Sequence, residues 1–125
     1  MQQPPPCFGF LQSHLHEVDS GNIIVRFSPT PEMTNPNGVV QGGILAGMLD
    51  NVIGATLGLT QPQLKHATIQ MNIQFFHPVR AGETILGRAR IERQSSRHLA
   101  VEAWLTAEAE SERLVQMQAT HLIFG

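Results

Sequence analysis

Asp50 is the residue whose surroundings ask for a chemical explanation. It stands in the run from Gly42 to about Leu59, where Ile44, Leu45, Met48, Leu49, Val52, Ile53 and Leu57 wrap a helix axis with apolar side chains. An ionised carboxylate in such a setting must be paired, solvated through a cleft, or neutralised, because bare burial of an ion is strongly unfavourable. None of the residues three or four positions away on the helix is basic. Two readings stand: a structural cap or sheet-edge hydrogen bond, or a catalytic or ligand-binding carboxylate facing a cleft. Gly42-Gly43, at the start of the same helix, adds a second clue. Two glycines there leave backbone N–H groups uncovered by any Cβ at the positive end of the macrodipole, where a carbonyl oxygen gaining charge can be held. A tight helix start is the plain alternative. Gly43 and Asp50 are two turns apart, so they share a helix face at a separation of roughly 10 Å along the axis, a gap that a second chain could close.

Other chemistries lack their residues. The chain has no G-x-S-x-G elbow, no H-E-x-x-H, no phosphate-binding P-loop and no G-x-G-x-x-G. His14 and His16 are spaced to share a strand face and could ligate a metal, but a partly exposed strand pair with no such role is the better account of them. Cys7 is the one cysteine, which excludes an intrachain disulfide and a cysteine-based zinc site. No metal and no cofactor is expected. The net charge of −2 argues against nucleic acid and against an anionic membrane surface. The lead Met1-Gln2-Gln3-Pro4-Pro5-Pro6 lacks the basic and apolar regions of a signal peptide, so a cytoplasmic location is the expectation. Val39 to Leu59 holds Asp50, Asn51 and five glycines, which suits a buried helix better than a membrane span.

The elements that must position these residues can be read from period and punctuation. With 125 residues, 42% of them hydrophobic and only 14% charged, against roughly 25% charged in ordinary soluble chains, a single domain with a large buried fraction is expected. Residues 1–12 read as a lead segment with one short turn at Cys7 to Gln12, and residues 13–125 as the domain. Asp19-Ser20-Gly21-Asn22 separates two strand-like runs near 13–19 and 22–28. Pro29, Pro31, Pro36 and Gly38 then impose a loop, with a turn at Pro31 to Met33. After the helix, which Pro62 ends, the period falls to two. Ile69, Met71, Ile73 and Phe75 alternate with Thr68, Gln70, Asn72 and Gln74, and the rhythm recurs through Ile85–Ile91, Leu99–Leu105 and Val115–Ile123. The links between these four strands are short enough for antiparallel neighbours. The order β-β-α-β-β-β-β predicts an α+β domain with an antiparallel sheet curled around one helix. Gly43, Ala46, Gly47, Asp50, Gly54 and Leu57 or Gly58 recur at helical spacing as a stripe of small residues around a single carboxylate, where another backbone or a ligand can come close.

Asn35-x-x-Gly38-x-x-Gln41-Gly42-Gly43 followed by Asp50, with Thr68-Ile69-Gln70-Met71-Asn72-Ile73 and Phe76-His77-Pro78-x-x-x-Gly82 downstream, resembles the hotdog-fold acyl-CoA thioesterases, in the branch of the phenylacetyl-CoA and hydroxybenzoyl-CoA enzymes. The resemblance spans about residues 12–124. It departs at Gln41, where the family usually carries histidine; an amide can donate a hydrogen bond to a carbonyl but cannot carry a proton. The resemblance implies a homodimer with paired helices and a continuous sheet, commonly doubled to a tetramer, with each site built across the interface and acyl-CoA as substrate. By position it makes Gly42 the amide that polarises the thioester carbonyl, with Gly43 beside it, Asn35 a group that places substrate or water, and Asp50, from the other subunit, the general base or nucleophile. Thr68 falls where members orient the water, although its parity with Gln70 and Asn72 also suits a surface-facing strand residue.

Five of the eight basic residues, Arg80, Arg88, Arg90, Arg93 and Arg97, crowd into one stretch. Guanidinium groups fork the phosphates that coenzyme A brings, and a solvated strand face is the plain alternative. Arg97, in a turn where members often carry a basic residue, and Arg80 are the candidates, while Met48 and Ile53 are suspected of lining the acyl pocket. The sequence thus predicts an acyl-CoA thioester hydrolase, with a non-hydrolytic acyl-CoA binding module on the same fold as its rival. A hydratase of this fold would need an Asp/His pair, and none is visible in the sequence.

Overall fold

The computed structural model describes residues 4–19 and 22–124. A short helix α1 (Pro6–Phe10) leads into strands β1 (Ser13–Asp19) and β2 (Asn22–Phe27), then a 3-10 turn at Pro31–Met33, the long helix α2 (Gly42–Thr60), and strands β3 (His66–Phe75), β4 (Ile85–Gln94), β5 (His98–Ala107) and β6 (Arg113–Ile123). The element order matches the sequence expectation. Residues 20 and 21 of the turn expected between β1 and β2 lie outside the described residues.

Six antiparallel strands form one sheet in the order β1-β2-β4-β5-β6-β3, and α2 packs against β2, β4, β5 and β6. This is the hotdog architecture of one helix held by a curled sheet. One connection departs from the sequence reading. The link from β3 to β4 is a crossover and not a hairpin, because β3 pairs with β6 at the far edge while β4 pairs with β2 and β5. The amides of Phe76 and His77 donate to the Leu114 carbonyl, fastening the end of β3 to the start of β6. Val79 and Arg80 then pair with residues 39 and 40 ahead of the helix.

Packing holds α2 together more than intrinsic helix propensity does. Its three glycines beyond the first turn, Gly47, Gly54 and Gly58, cost about 3 kcal/mol relative to alanine. Leu45, Met48, Leu49, Val52 and Ile53 are almost wholly buried, which is worth on the order of 10 kcal/mol in apolar transfer. At the C-terminal end, Thr56 and Thr60 hydroxyls donate to the carbonyls of Val52 and Thr56, and the Gln61 amide donates to that of Leu57. The helix is not enclosed all round within one chain. Its sheet side is buried, while Gly43 and Gly54 are exposed and a Cβ at Gly43, Gly54 or Gly58 would meet nothing. α1 covers only part of this open face: Leu11 packs over Gly47, and Asn51 donates to the Cys7 carbonyl at 3.2 Å. Phe8 and Leu11 are themselves buried in the main core, so the lead segment contributes to it.

Candidate active site

Two groups of candidate residues form in the chain, at different heights on α2. The first surrounds the helix start. Asn35 is half-buried, and its side-chain oxygen accepts the amides of Asn37 at 2.9 Å and Val39 at 3.3 Å, closing a tight loop in which Gly38 takes φ +76°. That loop delivers Gln41 to the N-cap position with an exposed side chain that makes no capping hydrogen bond. The amides of Ile44 and Leu45 turn back to the Gln41 carbonyl, whereas Gly42 and Gly43 occupy the first helical positions, whose N–H groups have no partner within a helix. A groove of about 300 Å³ opens here, lined by Val39, Val40, Gly42, Leu45, Phe75, Phe76, His77 and Pro78. Gly42 permits its shape, since a Cβ there would stand 3.2 Å from the Phe75 ring. Met48 and Ile53, suspected of lining an acyl pocket, are fully buried and do not line this groove; Leu45 presents the helix to it instead.

The second group surrounds Asp50, two turns further along. Thr68 of β3 donates its hydroxyl to Asp50 Oδ1 at 3.0 Å, and both side chains are half-buried. Asp50 Oδ2 has no hydrogen-bond partner among the described residues, and no side-chain polar atom among them is both buried and unpaired, so Oδ2 is open at the surface. Thr68 reaches α2 through a bulge. Thr68 is opposite His121 and Gln70 is opposite Thr120, which leaves Ile69 as an extra residue. The insertion shifts parity, so Thr68 shares the helix-facing side with Ile73 and Phe75 and not with Gln70 and Asn72.

The structure also brings in two histidines that the sequence reading did not select. His121 Nε2 lies 3.2 Å from Thr68 Oγ1, and His121 Nδ1 lies 2.9 Å from His66 Nδ1. His121 is only 3% exposed. Burial first, and the neighbouring His66 next, hold its pKa below the usual histidine value, against a smaller pull upward from the Asp50 carboxylate. The Asp/His pair missing from the sequence therefore exists indirectly, joined through the Thr68 hydroxyl. The signal available was His121 standing among Val115, Met117, Ala119 and Ile123 at an inward position; His66 carried none beyond sharing Thr68's parity.

The arginines do not gather into one patch. Arg88 donates to Thr106 at 3.3 Å, and Arg90 donates to Glu102 at 2.8 Å. Arg113 also donates to Glu102 at 3.3 Å, and this hydrogen bond first, with the charges of Arg113 and Arg90, holds the Glu102 carboxyl below its usual pKa against the effect of burial, while Arg90 and Arg113 lie 5.9 and 4.1 Å from the Trp104 ring centroid. Arg80 is exposed beside Gly38 near the helix-start loop. Arg97 is exposed in the turn between β4 and β5, beside a depression shared with Ser96, Leu122, Ile123 and Phe124.

The thioesterase superfamily model matches residues 37–113, which hold Gln41, Gly42, Asp50 and Thr68. The chain belongs to the thioesterase superfamily. Human acyl-coenzyme A thioesterase 13 is 27% identical to it over 100 residues, covering 80% of this chain and 71% of the relative. The acyl-CoA thioester hydrolase YciA of Escherichia coli K12 is 26% identical over 115 residues, covering 90% and 86%. Among solved structures, a phenylacetic acid degradation-related protein of Ralstonia eutropha JMP134 superposes with a TM-score of 0.84 at 30% identity, covering 97% of this chain and 92% of that one. Within this thioesterase-superfamily chain, Gly42 and Asp50 are eight residues apart on one helix, about 12 Å along the axis. That is too far for one small group to touch both residues of the same helix.

Proposed function

We propose that this chain hydrolyses an acyl-CoA thioester in a site shared across a homodimer, where Asp50 and Thr68 of one protomer face the helix start of the other. The observation that carries the reading is the Asp50 carboxylate. It is half-buried on an apolar helix, with one oxygen held by Thr68 and the other open. The relatives' names, acyl-coenzyme A thioesterase and acyl-CoA thioester hydrolase, support the substrate class.

In this reading Asp50 Oδ2 takes a proton from water as the water oxygen attacks the acyl carbon. The Gly42 amide donates to the resulting oxyanion, with Gly43 leaving room beside it. The C–S bond then breaks, and the thiolate of coenzyme A leaves without a strong acid, which makes Gln41 sufficient in a place where histidine is usual. Direct attack by Asp50, through an acyl-enzyme anhydride that water then opens, uses the same groups. The side-chain oxygen of Asn35 is occupied by its own loop, so its amide nitrogen is the part left to orient substrate. Arg97 and Arg80 are the phosphate contacts proposed for coenzyme A.

Dimerisation has support from two open surfaces. β3 is an edge strand and exposes Ile69, Met71 and Phe75, an arrangement that invites pairing with another chain. The Gly54 and Gly58 positions on α2 leave space for a second backbone. The test is Asp50→Asn, which keeps the volume and most hydrogen bonds but removes basicity and charge. CoA release from a panel of acetyl-, hexanoyl- and phenylacetyl-CoA should fall in kcat by about 10² or more, with acyl-CoA binding and the unfolding midpoint retained. A variant that folds like the parent and hydrolyses at the parent rate leaves the non-hydrolytic binding module as the better account.

A further inference from the structure

We propose that His121, supported by His66, is a positioning residue for Asp50: the two imidazoles and the Thr68 hydroxyl form a one-way chain of donors that ends on the Asp50 carboxylate. For its effect on rate this rests on the reading of Asp50 as the base.

The direction of the chain follows from counting protons. Asp50 Oδ1 and Thr68 Oγ1 are 3.0 Å apart, and an ionised carboxylate can only accept, so the single hydroxyl proton points to Oδ1. Thr68 Oγ1 can then only accept from His121 Nε2 at 3.2 Å, which places a proton on Nε2. His121 is buried and its charged form is disfavoured, so its Nδ1 carries a lone pair. Two lone pairs cannot face one another at 2.9 Å, and His66 must therefore donate from Nδ1. Each proton in the chain has one place, and each donor polarises the next toward Asp50.

The consequence is geometric. The Thr68 hydroxyl cannot rotate away, because its acceptor side is occupied by His121. Asp50 Oδ1 is thereby committed to Thr68, and Oδ2 is the oxygen that meets water. The ionisable groups facing His121 are Asp50 from α2 and His66 from β3, while β5 presents Leu99 opposite it. A proton added to His121 Nδ1 in acid reverses or breaks that contact, since His66 must either move its own proton to Nε2 and accept at Nδ1 or turn away, and it puts a positive charge one hydroxyl away from the base. Turnover should therefore lose activity in acid as His121 takes up a proton.

Two measurements test this. In 15N-labelled protein at pH 8, long-range imidazole correlations should give His121 as the neutral Nε2–H tautomer and His66 as Nδ1–H. This readout needs no turnover, and Asp50→Asn should preserve it, since the asparagine carbonyl still accepts from Thr68. His121→Gln keeps an N–H donor near Nε2 without a titrating group, whereas His121→Leu removes the donor. At pH 8, with the best acyl-CoA of the panel, kcat should stay within about threefold of the parent for His121→Gln and fall about tenfold or more for His121→Leu, with KM little changed. The ratio of His121→Gln to parent should rise between pH 8 and pH 5.5. Reversed tautomers, a charged His121 at pH 8, or a folded His121→Leu with the parent kcat would overturn the proposal. Reversed tautomers alongside an inactive Asp50→Asn would remove the donor chain and leave the hydrolase reading standing. An Asp50→Asn with full activity would remove the rate effect by removing its foundation.

Discussion

Gly87→Ala offers a measurable link between the sheet and helix α2. Gly87 lies on β4 opposite Leu105 of β5, and α2 rests directly above it. A Cβ at this position would stand 2.4 Å from Val52 Cγ2 and 3.2 Å from both Leu105 Cδ2 and Phe27 Cε2, with all three neighbours fully buried. Ordinary carbon contacts lie near 3.5–4.0 Å, so Val52 must retreat by about 1 Å into a packed core. Overpacking of this kind costs about 1–3 kcal/mol, against a gain of about 0.5–1 kcal/mol from losing a strand glycine, for a net destabilisation of about 1–2 kcal/mol. Val52→Ala alone should cost roughly 2 kcal/mol as a cavity. In the double variant the new methyl enters that cavity, so the two costs should fall short of their sum by about 1 kcal/mol or more. Urea denaturation of the parent, both single variants and the double variant measures the cycle at constant protein concentration. Because Val52 is two residues from Asp50, hydrolysis should decline in Gly87→Ala and recover in the double variant. Additivity within about 0.5 kcal/mol, or a Gly87→Ala as stable as the parent, would refute the contact as the reason for glycine.

Gln41→Ala should reduce turnover about tenfold, the worth of one neutral hydrogen bond, and Gln41→His should be tolerated; loss of all turnover with assembly intact would move the oxyanion contact from Gly42 to the amide side chain. Sedimentation at micromolar concentration should give a dimer or tetramer, and Met71→Lys on the exposed edge should weaken it; a compact active monomer would refute the shared site. His121, with its pKa held below the ordinary 6.5, is more readily protonated in the unfolded chain, so its contribution is fully present above pH 6.5 and is lost as pH falls below that toward its folded value. Glu102, held below 4.5, acts in a separate window: its contribution is present above 4.5 and is lost in stronger acid. Unfolding midpoints from pH 8 to 3 should show both declines, and His121→Gln should remove only the first.

Much of this fold could be read from the sequence because hydrophobic period and turn residues act locally. The helix from Gly42 and the strands of the second half follow directly from their 3.6- and two-residue rhythms. The crossover after β3 was not legible, because a short Pro-containing link has the same appearance whether it turns back or crosses; the pairing of Val79 and Arg80 with residues 39 and 40 settles its course. Thr68 shows a subtler limit. Its uninterrupted alternation with Gln70 and Asn72 suggests an outward side chain, but one extra residue at Ile69 turns it toward Asp50, and alternation carries no mark of a bulge. Asp50 was conspicuous because a charge on an apolar helix demands an explanation. His121 was not, since its two partners lie 53 and 55 residues away in the chain.

The separation of Gly42 and Asp50 along a single helix has a genetic corollary in the shared-site arrangement. A chain damaged at the helix start and a chain damaged at Asp50 would each be inactive alone. Mixed within one dimer, they would leave one site carrying both lesions and another carrying none. Random pairing of equal amounts should thus restore about a quarter of the parental activity, half of the sites in half of the dimers. Two recessive lesions of the same gene would then complement each other, whereas lesions at Asp50 and Thr68, which act from the same protomer, would not.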